Sequence, residues 1–335
     1  MTGGLPGGTL NDMTARSVAD GNPPRIDRSL REVSTVRALA APLGDIVVIV
    51  AAIGAAITLH RWYVDVAAAI LVVRSQHAIA VVMHEGAHRT LLADRRLNDV
   101  VGRWLGYAVG VSLDTYRRVH TRHHQAELSD GDPDLPLLTG YPAKGRLQRK
   151  LVRDITFRTT ARNFAYLLHG SSRNATATPS PERENASRAP GAPRIPLLAG
   201  IGIAQVVIIG VFVAIGHPWR YVELWFLPYV LLLPPILRVR AVAEHGGKQA
   251  SPDRRLSSRT TRAPLSPIAW LLAPHHVGLH VEHHLAPWVP HYRLPSVHRQ
   301  LRAAGWLSDT DVHRGYLPLF RWLTREPAPT APTHP

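Results

Sequence analysis

Three short groups of histidines have the spacing of metal ligands. They are His84-Glu-Gly-Ala-His88, His120-Thr-Arg-His123-His124 and His280-Val-Glu-His283-His284. Residues three or four positions apart lie on the same face of a helix, so the imidazoles within each group would point in one direction. One further histidine, His245, stands in the segment Ala-Glu-His-Gly-Gly. Together these histidines predict a metal centre.

The number of these histidines indicates more than one metal ion. Imidazole binds iron, zinc, copper and nickel, so the ligand type alone does not identify the metal. One tetrahedral or octahedral ion cannot use nine imidazoles, whereas two ions with four or five ligands each accommodate all of them. The nine predicted ligands are His84, His88, His120, His123, His124, His245, His280, His283 and His284.

The acidic residues near these histidines have two interpretations. Glu85, Glu244 and Glu282 are predicted to orient ligating imidazoles through the second ring nitrogen, although Glu85 fits a solvated position equally well. The first histidine group is also an H-E-x-x-H motif, in which a zinc peptidase would use the glutamate as general base. That motif leaves the second and third groups unexplained, so an intramembrane zinc protease is a remote alternative.

Four apolar segments are long enough to cross a membrane, which takes about 20 residues. They run roughly from Ala38 to Leu59, Trp62 to Met83, Ile195 to Gly216 and Tyr221 to Val239. Only short links separate the members of each pair, which predicts two hairpins. Pro228, Pro234 and Pro235 predict a kink in the fourth segment. Arg74, Gln76 and His77 in the second segment are costly in lipid and are expected to face the interior of the bundle.

The distribution of positive charge predicts the topology. The net charge is +15, and arginine supplies nearly all of it, a bias that predicts a GC-rich bacterial genome. The arginines flank the apolar segments and do not cluster with aromatic residues, which favours a membrane protein over a nucleic-acid-binding one. By the positive-inside rule, both termini and the long central segment are predicted to be cytoplasmic, with the protein in the cytoplasmic membrane.

The predicted fold is therefore an all-α membrane protein. Four transmembrane helices form two hairpins, and a cytosolic helical cap holds the metal site. The segments from Leu97 to Leu113 and from Ala263 to Leu272 are predicted to be helices at the membrane surface. Residues 1–37 are predicted to be a polar, largely disordered tail, 38–302 the membrane domain with a flexible insertion at 171–193, and 303–335 a C-terminal tail.

The histidine groups and their surroundings resemble the membrane fatty acid desaturase family, whose pattern is HxxxH, HxxHH and HxxHH with two pairs of spans. The first group is followed by Arg96-Leu-Asn-Asp99, the second leads to Asp132-Pro-Asp134, and the third continues as Leu-Ala-Pro-Trp-Val-Pro290. The similarity covers roughly Ala38 to Arg302, apart from residues 171–193.

The resemblance implies that the nine histidines hold two iron ions. It also implies O2 as cosubstrate for the oxidation of an unactivated C–H bond in a lipid, foremost fatty acyl desaturation. Ala241 stands where some relatives have Asn, and His276 where Asn is frequent; His276 is predicted to act beside the ligands. A fused cytochrome b5 motif is missing from the sequence, so electrons are expected from a separate ferredoxin or similar carrier with its reductase.

Two other functions share part of this pattern. Hydroxylases and ketolases of carotenoids have a similar arrangement of histidine ligands. A carotenoid, terpenoid or other natural product is therefore the main alternative substrate. A metal transporter could also use histidines within a membrane. It would need ligands along the spans, whereas the predicted ligands lie at one edge of them.

Overall fold

The structure is a computed structural model that describes residues 22–162 and 194–326, apart from the side chains of residues 194–196. The predicted flexible insertion at 171–193 lies outside the described residues, as do residues 1–21 of the predicted N-terminal tail. The described residues are mostly helical and contain almost no sheet, as predicted. The domain boundaries themselves stay predictions.

The described residues form thirteen helices of very different lengths. In chain order they are Thr35–Leu59 (α1), Trp62–His88 (α2), Arg95–Ala108 (α3), Leu113–Ala126 (α4), Leu135–Leu138 (α5), Arg146–Ile155 (α6), Arg194–Ala214 (α7), Pro218–His245 (α8), Arg254–Ser257 (α9), Pro267–Leu272 (α10), His280–Leu285 (α11), Leu294–Ala303 (α12) and Tyr316–Leu323 (α13). Short 3-10 turns cover Arg28–Arg31, Pro274–His276 and His291–Arg293. Strands Thr260–Arg262 (β1) and Val312–Arg314 (β2) pair in parallel, with Thr260 opposite Val312.

Four of these helices, α1, α2, α7 and α8, are long and apolar enough to span a membrane, which confirms the predicted four-span fold. α2 is the central helix, since 61% of its apolar window is buried, against 11–33% for the other three. α8 contains two π-helical stretches, Val222–Phe226 and Pro228–Leu232. Proline lacks a backbone donor, so irregular helix is expected around Pro228.

Apolar side chains join the two hairpins into one bundle. Ile53 of α1, Val72 of α2, Phe212 of α7 and Leu224 of α8 belong to a single buried cluster. At the end of the bundle where the short links lie, Arg220 Nη1 is 2.9 Å from Asp65 Oδ1. The hairpins are therefore fixed to each other both in the core and at this end.

The polar residues of α2 face the bundle interior, as predicted. Arg74 Nη1 donates to Asp45 Oδ1 of α1 at 2.7 Å. Gln76 Nε2 donates to the carbonyl of Trp225 at 3.0 Å, and His77 Nδ1 lies 3.0 Å from the carbonyl of Leu271. These contacts tie α2 to α1, α8 and α10.

The cap differs from its prediction in two places. The helix expected up to Leu113 ends at Ala108, because the chain turns at Gly110 (φ +66°) and Ser112 then caps the start of α4. The segment from Ala263 to Leu272 is helical only in α10, which begins at Pro267. The predicted C-terminal tail contains β2 and α13, and Leu323 of α13 is fully buried in the cluster that includes Val242.

Candidate metal centre

The chain places each histidine group at an end of a helix or in the cap. His84 and His88 lie in the last turn of α2, which stops at Arg89 because that residue adopts a left-handed conformation (φ +62°). His245 is the last residue of α8. The second group lies on α4 and the third on the short helix α11. The structure brings all nine predicted ligands together.

Five of the histidines form one group, with ligand atoms within 4.8 Å of one another. They are His84, His88, His120, His124 and His283. His84 Nε2 lies 2.8 Å from His120 Nε2 and 3.2 Å from His88 Nε2. His124 Nε2 lies 3.0 Å from His120 Nε2 and 3.1 Å from His283 Nε2. Ligands from α2, α4 and α11 therefore meet at one point.

The other four histidines form an adjoining group. A ring nitrogen from each of His123, His245 and His284 falls within 4.8 Å of the other two. His280 Nε2 lies 2.8 Å from His245 Nε2 and 3.1 Å from His284 Nε2. The rings of His124 and His284 stack with centroids 4.1 Å apart, so the two groups touch. This arrangement provides two neighbouring all-nitrogen sites.

The chemistry of the donor set fits metal cations. Neutral imidazole binds a metal through a nitrogen lone pair, whereas imidazolium cannot. Burial, followed by the charges of neighbouring histidines, holds the pKa of His120, His283 and His284 well below the usual value for histidine. These rings are therefore neutral at physiological pH. Lone pairs that converge to about 3 Å repel one another unless a cation lies between them.

The outward ring nitrogens of the cluster face carboxylates. Glu85 Oε1 is 3.6 Å from His84 Nδ1, and Glu244 Oε1 is 3.6 Å from His280 Nδ1. Glu85 is buried, and its Oε2 accepts from the backbone N–H of His291 at 2.8 Å. An outward hydrogen bond fixes the orientation and tautomer of a ligating imidazole. Glu85 and Glu244 lie beside the rings as the predicted orienting role requires, although neither is within hydrogen-bond distance of its imidazole nitrogen.

Two further carboxylates also face outward ring nitrogens of the cluster. Neither was predicted from the sequence. Glu127 Oε1 is 3.3 Å from His245 Nδ1, and its Oε2 is 3.1 Å from His284 Nδ1. Both oxygens of Asp132 lie 3.0 Å from His123 Nδ1. Burial opposes the charged form of His123, yet Asp132 and nearby acids raise its pKa. The feature of the sequence that could have predicted these two carboxylates is the short acidic stretch that follows the second histidine group.

Glu282 and His276 differ from their predicted roles. The carboxylate of Glu282 contacts the hydroxyl of Thr260 and Nδ1 of His298, and neither partner is a predicted ligand. His298 is itself buried. His276 is exposed and lines a surface groove, because it lies in a left-handed turn (φ +62°) before α11. Neither residue orients a cluster imidazole in the structure.

Comparisons with known proteins agree with this architecture. The family model for fatty acid desaturases matches residues 60–309, which include all nine histidines. An omega-3 fatty acid desaturase of the endoplasmic reticulum from Vigna radiata var. radiata is 26% identical over 274 residues, 78% of this chain and 71% of that protein. A chloroplastic omega-3 fatty acid desaturase from Glycine max is 26% identical over 239 residues, 65% of this chain and 49% of that protein.

A third relative has a different activity. A beta-carotene ketolase from Paracoccus sp. is 38% identical over 97 residues, 28% of this chain and 39% of that protein. The chain thus spans less than two thirds of the ketolase and of the chloroplastic desaturase. The family match covers most of the chain and contains every histidine of the cluster. The chain therefore belongs to the fatty acid desaturase family.

Proposed function

We propose that the nine histidines hold two iron ions and that the protein uses O2 to oxidise an unactivated C–H bond of a lipid. The observation that carries this proposal is the pair of adjoining histidine groups at one end of four apolar spans. Imidazole-rich sites suit iron, and membership of the fatty acid desaturase family supports an oxidoreductase that acts on lipids. The bound iron would supply the redox chemistry with O2.

The protein's own residues would hold and shield this centre. His84, His88, His120, His124 and His283 would ligate one ion, and His123, His245, His280 and His284 the other. Glu127 contacts histidines from two different elements and forms an ion pair with Arg254, which offsets its buried charge. Asp132 forms a hydrogen bond with the outward nitrogen of His123, and Glu85, Glu127 and Glu244 would help to orient the rings that they face.

The substrate class that we favour is a fatty acyl lipid, which would be desaturated. The two omega-3 fatty acid desaturases support this choice, and the apolar spans place the centre beside a lipid phase. A groove of about 770 Å³ is lined by residues of the cap, with Trp270 and Leu279 among its walls. Leu279 directly precedes the predicted ligand His280 in the chain, although none of the nine histidines lines the groove.

A specific observation also favours the second candidate, ketolation or hydroxylation of a carotenoid or another natural product. The ketolase shares higher identity with this chain than either desaturase does, although over a shorter stretch. Desaturation removes a second hydrogen, whereas hydroxylation adds a hydroxyl group. The two reactions diverge only after the first C–H bond has been broken. Both reactions would use the same ligands.

The remaining features of the proposal concern partners and location. We propose a ferredoxin or a similar carrier with its reductase as the electron source. We also propose that the protein lies in the cytoplasmic membrane with both chain ends on the cytoplasmic side, a placement that the arginine distribution supports. An intramembrane zinc protease fits less well, because His84 and His88 share their group with three further imidazoles.

The direct test is oxidation of lipids by the protein purified in detergent, with O2, a ferredoxin and its reductase. We expect an oxidised lipid product from the wild type and a loss of at least about 100-fold in His123→Ala, because one ligand of the second ion is removed. His217→Ala, in the link at the other end of the bundle, is the control and should keep wild-type activity. Wild-type activity in His123→Ala would contradict the proposal.

A further inference from the structure

The groove of about 770 Å³ in the cap combines apolar walls with positive charge. Leu265, Trp270 and Leu279 contribute to its apolar side, and Arg262 and Arg299 line it as well. Both arginines are exposed, and no aspartate or glutamate is among the described residues that line this groove. A groove that offers hydrocarbon and positive charge side by side suits an amphiphile with a negatively charged head.

The positive charge continues into a neighbouring groove of about 600 Å³, which shares Arg262 with the first. Arg302 and Arg314 also line this second groove, and both pair with Asp309, at 2.8 and 3.2 Å. In the described part of the chain, Arg262 and Arg299 form no ion pair with a carboxylate, and Arg299 Nη2 donates to the hydroxyl of a neighbouring serine. These two arginines are therefore available to an anion from outside the protein.

A buried polar side chain also belongs to both grooves. Only 7% of the His298 side chain is exposed, yet it lines each of them. Its Nδ1 contacts the carboxylate of Glu282, so Nε2 is the ring nitrogen that can contact a ligand. The grooves thus offer a polar wall inside the protein in addition to the exposed arginines.

The apolar end of the first groove reaches the edge of the lipid-facing surface. The guanidinium carbon of Arg74 on α2 lies 5.5 Å from the centroid of the Trp270 ring. The last exposed large apolar side chain of α2 is Ile70, one turn before Arg74. Tryptophan is frequent at the level where hydrocarbon meets headgroups. Leu265 is fully exposed in a left-handed conformation (φ +67°) and adds apolar surface that an acyl chain can cover.

We propose that this groove binds an anionic glycerophospholipid, with its phosphate at Arg262 and Arg299 and an acyl chain along Leu265 and Trp270. Guanidinium groups form paired hydrogen bonds with phosphate oxygens, and basic residues at the membrane surface favour anionic headgroups. None of the nine histidines lines the groove, so the bound lipid is a ligand of the cap and need not be the molecule that is oxidised. The site is therefore independent of the proposed function.

The main alternative occupant is an acidic protein, such as an electron carrier. Such a protein would also contact the arginines, but it has no need of Leu265 and Trp270 at the edge of the lipid-facing surface. Leu265→Ser separates the two occupants. It should weaken lipid binding about threefold to tenfold, because apolar contact is lost, and leave the binding of an acidic protein unchanged.

The test is equilibrium binding by the full-length protein in detergent. The probes are phosphatidylglycerol, phosphatidylcholine with the same acyl chains, and glycerophosphate, which has the phosphate without an acyl chain. We expect the wild type to bind phosphatidylglycerol roughly tenfold to a hundredfold more tightly than phosphatidylcholine, whose ammonium is repelled by the arginines. The double variant Arg262→Gln/Arg299→Gln should lose this preference. Arg321→Gln, an equal charge change per site on the exposed side of α13 and outside both grooves, should keep it.

Equal binding of the two lipids by the wild type would overturn the proposal, as would an unchanged preference in the double variant or an equal loss in Arg321→Gln. Glycerophosphate that binds as tightly as phosphatidylglycerol would overturn the role of the acyl chain. An acidic ferredoxin that displaces phosphatidylglycerol and binds Leu265→Ser like the wild type would assign the groove to a protein. If the double variant does not fold, each single variant should show part of the loss. Lipid oxidation is assayed separately, so a failure of either proposal leaves the other intact.

Discussion

Individual side chains around the cluster explain how nine imidazoles can share one buried space. The inward nitrogens face a common centre, while Asp132, Glu127 and Glu244 face outward nitrogens of His123, His284 and His280. Each of these carboxylates is itself held, Asp132 by the backbone N–H groups of Leu128 and Asp134. The hydrogen bond between Asp132 and His123 thus holds the orientation of that ring.

Asp132→Asn is expected to weaken metal binding at the site that includes His123 by about 10- to 100-fold. The amide keeps the size of the carboxylate but loses the charge that faces His123 Nδ1. Metal titration of the purified protein measures the effect. The control is Asp130→Asn, an exposed residue two positions earlier, which should bind metal like the wild type. Equal affinity of the two variants would show that Asp132 does not support the ligand.

The sequence predicted the nine histidines because ligand spacing on a helix is a local pattern. It did not predict Glu127, whose partners His245 and His284 come from α8 and α11 and reach it only in the folded chain. The contacts of Glu282 could not be predicted for a related reason. Its position beside His283 is known from the sequence, but its direction toward His298 depends on how α11 packs on α12.

At the scale of elements, the end of α2 depends on close packing against α3. A Cβ on Gly86 would be 3.3 Å from the Cα of Gly102, so these helices touch through glycine between His84 and His88. Near the end of α3, a Cβ on Gly106 would lie 2.6 Å from the carbonyl oxygen of Val111. These glycines let the first and second histidine groups approach each other.

Gly106→Ala is expected to destabilise the protein by about 1–3 kcal/mol, because the added methyl group meets backbone that cannot move aside easily. Thermal unfolding in detergent measures this change as a lower midpoint. Gly54→Ala in α1 is the matched control, since a Cβ there meets no atom within 4 Å. Equal unfolding temperatures of the two variants would contradict the close packing of the backbone at Gly106.

The four spans could be predicted from the sequence because their bounds depend mainly on hydrophobicity. The spans began and ended within a few residues of their predicted bounds, except where α2 and α8 continue into polar residues that carry ligands. The break between α3 and α4 was missed because it depends on the left-handed turn at Gly110, which apolar periodicity does not report.

At the scale of the whole molecule, buried ion pairs connect the spans to the cap. Asp154 of α6 is fully buried, and its Oδ1 accepts from Arg238 Nη2 of α8 at 2.8 Å. Thr159 also donates to this carboxylate. The pair fixes α6 against the span that carries His245.

Asp154→Asn is expected to cost about 3–5 kcal/mol of stability, because it leaves the buried Arg238 without its counterion. The measurement is the fraction of protein that remains monodisperse after heating in detergent. Asp309→Asn removes a carboxylate from an exposed arginine cluster and should have little effect. If the monodisperse fraction after heating falls equally in both variants, burial of the Asp154–Arg238 pair does not contribute to stability.

The topology can be tested with single cysteines, because the sequence has none of its own. Trp219→Cys lies in the exposed link before α8, and Gln125→Cys lies exposed on α4 in the cap. A membrane-impermeant maleimide applied to intact cells should label Trp219→Cys only, and Gln125→Cys only after lysis. Labelling of both from the same side would contradict the two-hairpin arrangement.

The central claim is a pair of iron ions held by nine histidines, and metal analysis of the purified full-length protein tests it most directly. The account predicts roughly two iron ions per chain, because the ligands form two adjoining groups of five and four imidazoles. Asp130→Asn should keep both ions, and His123→Ala should retain fewer. A single zinc ion per chain, unchanged in His123→Ala, would contradict the claim and favour a peptidase-like site at His84 and His88.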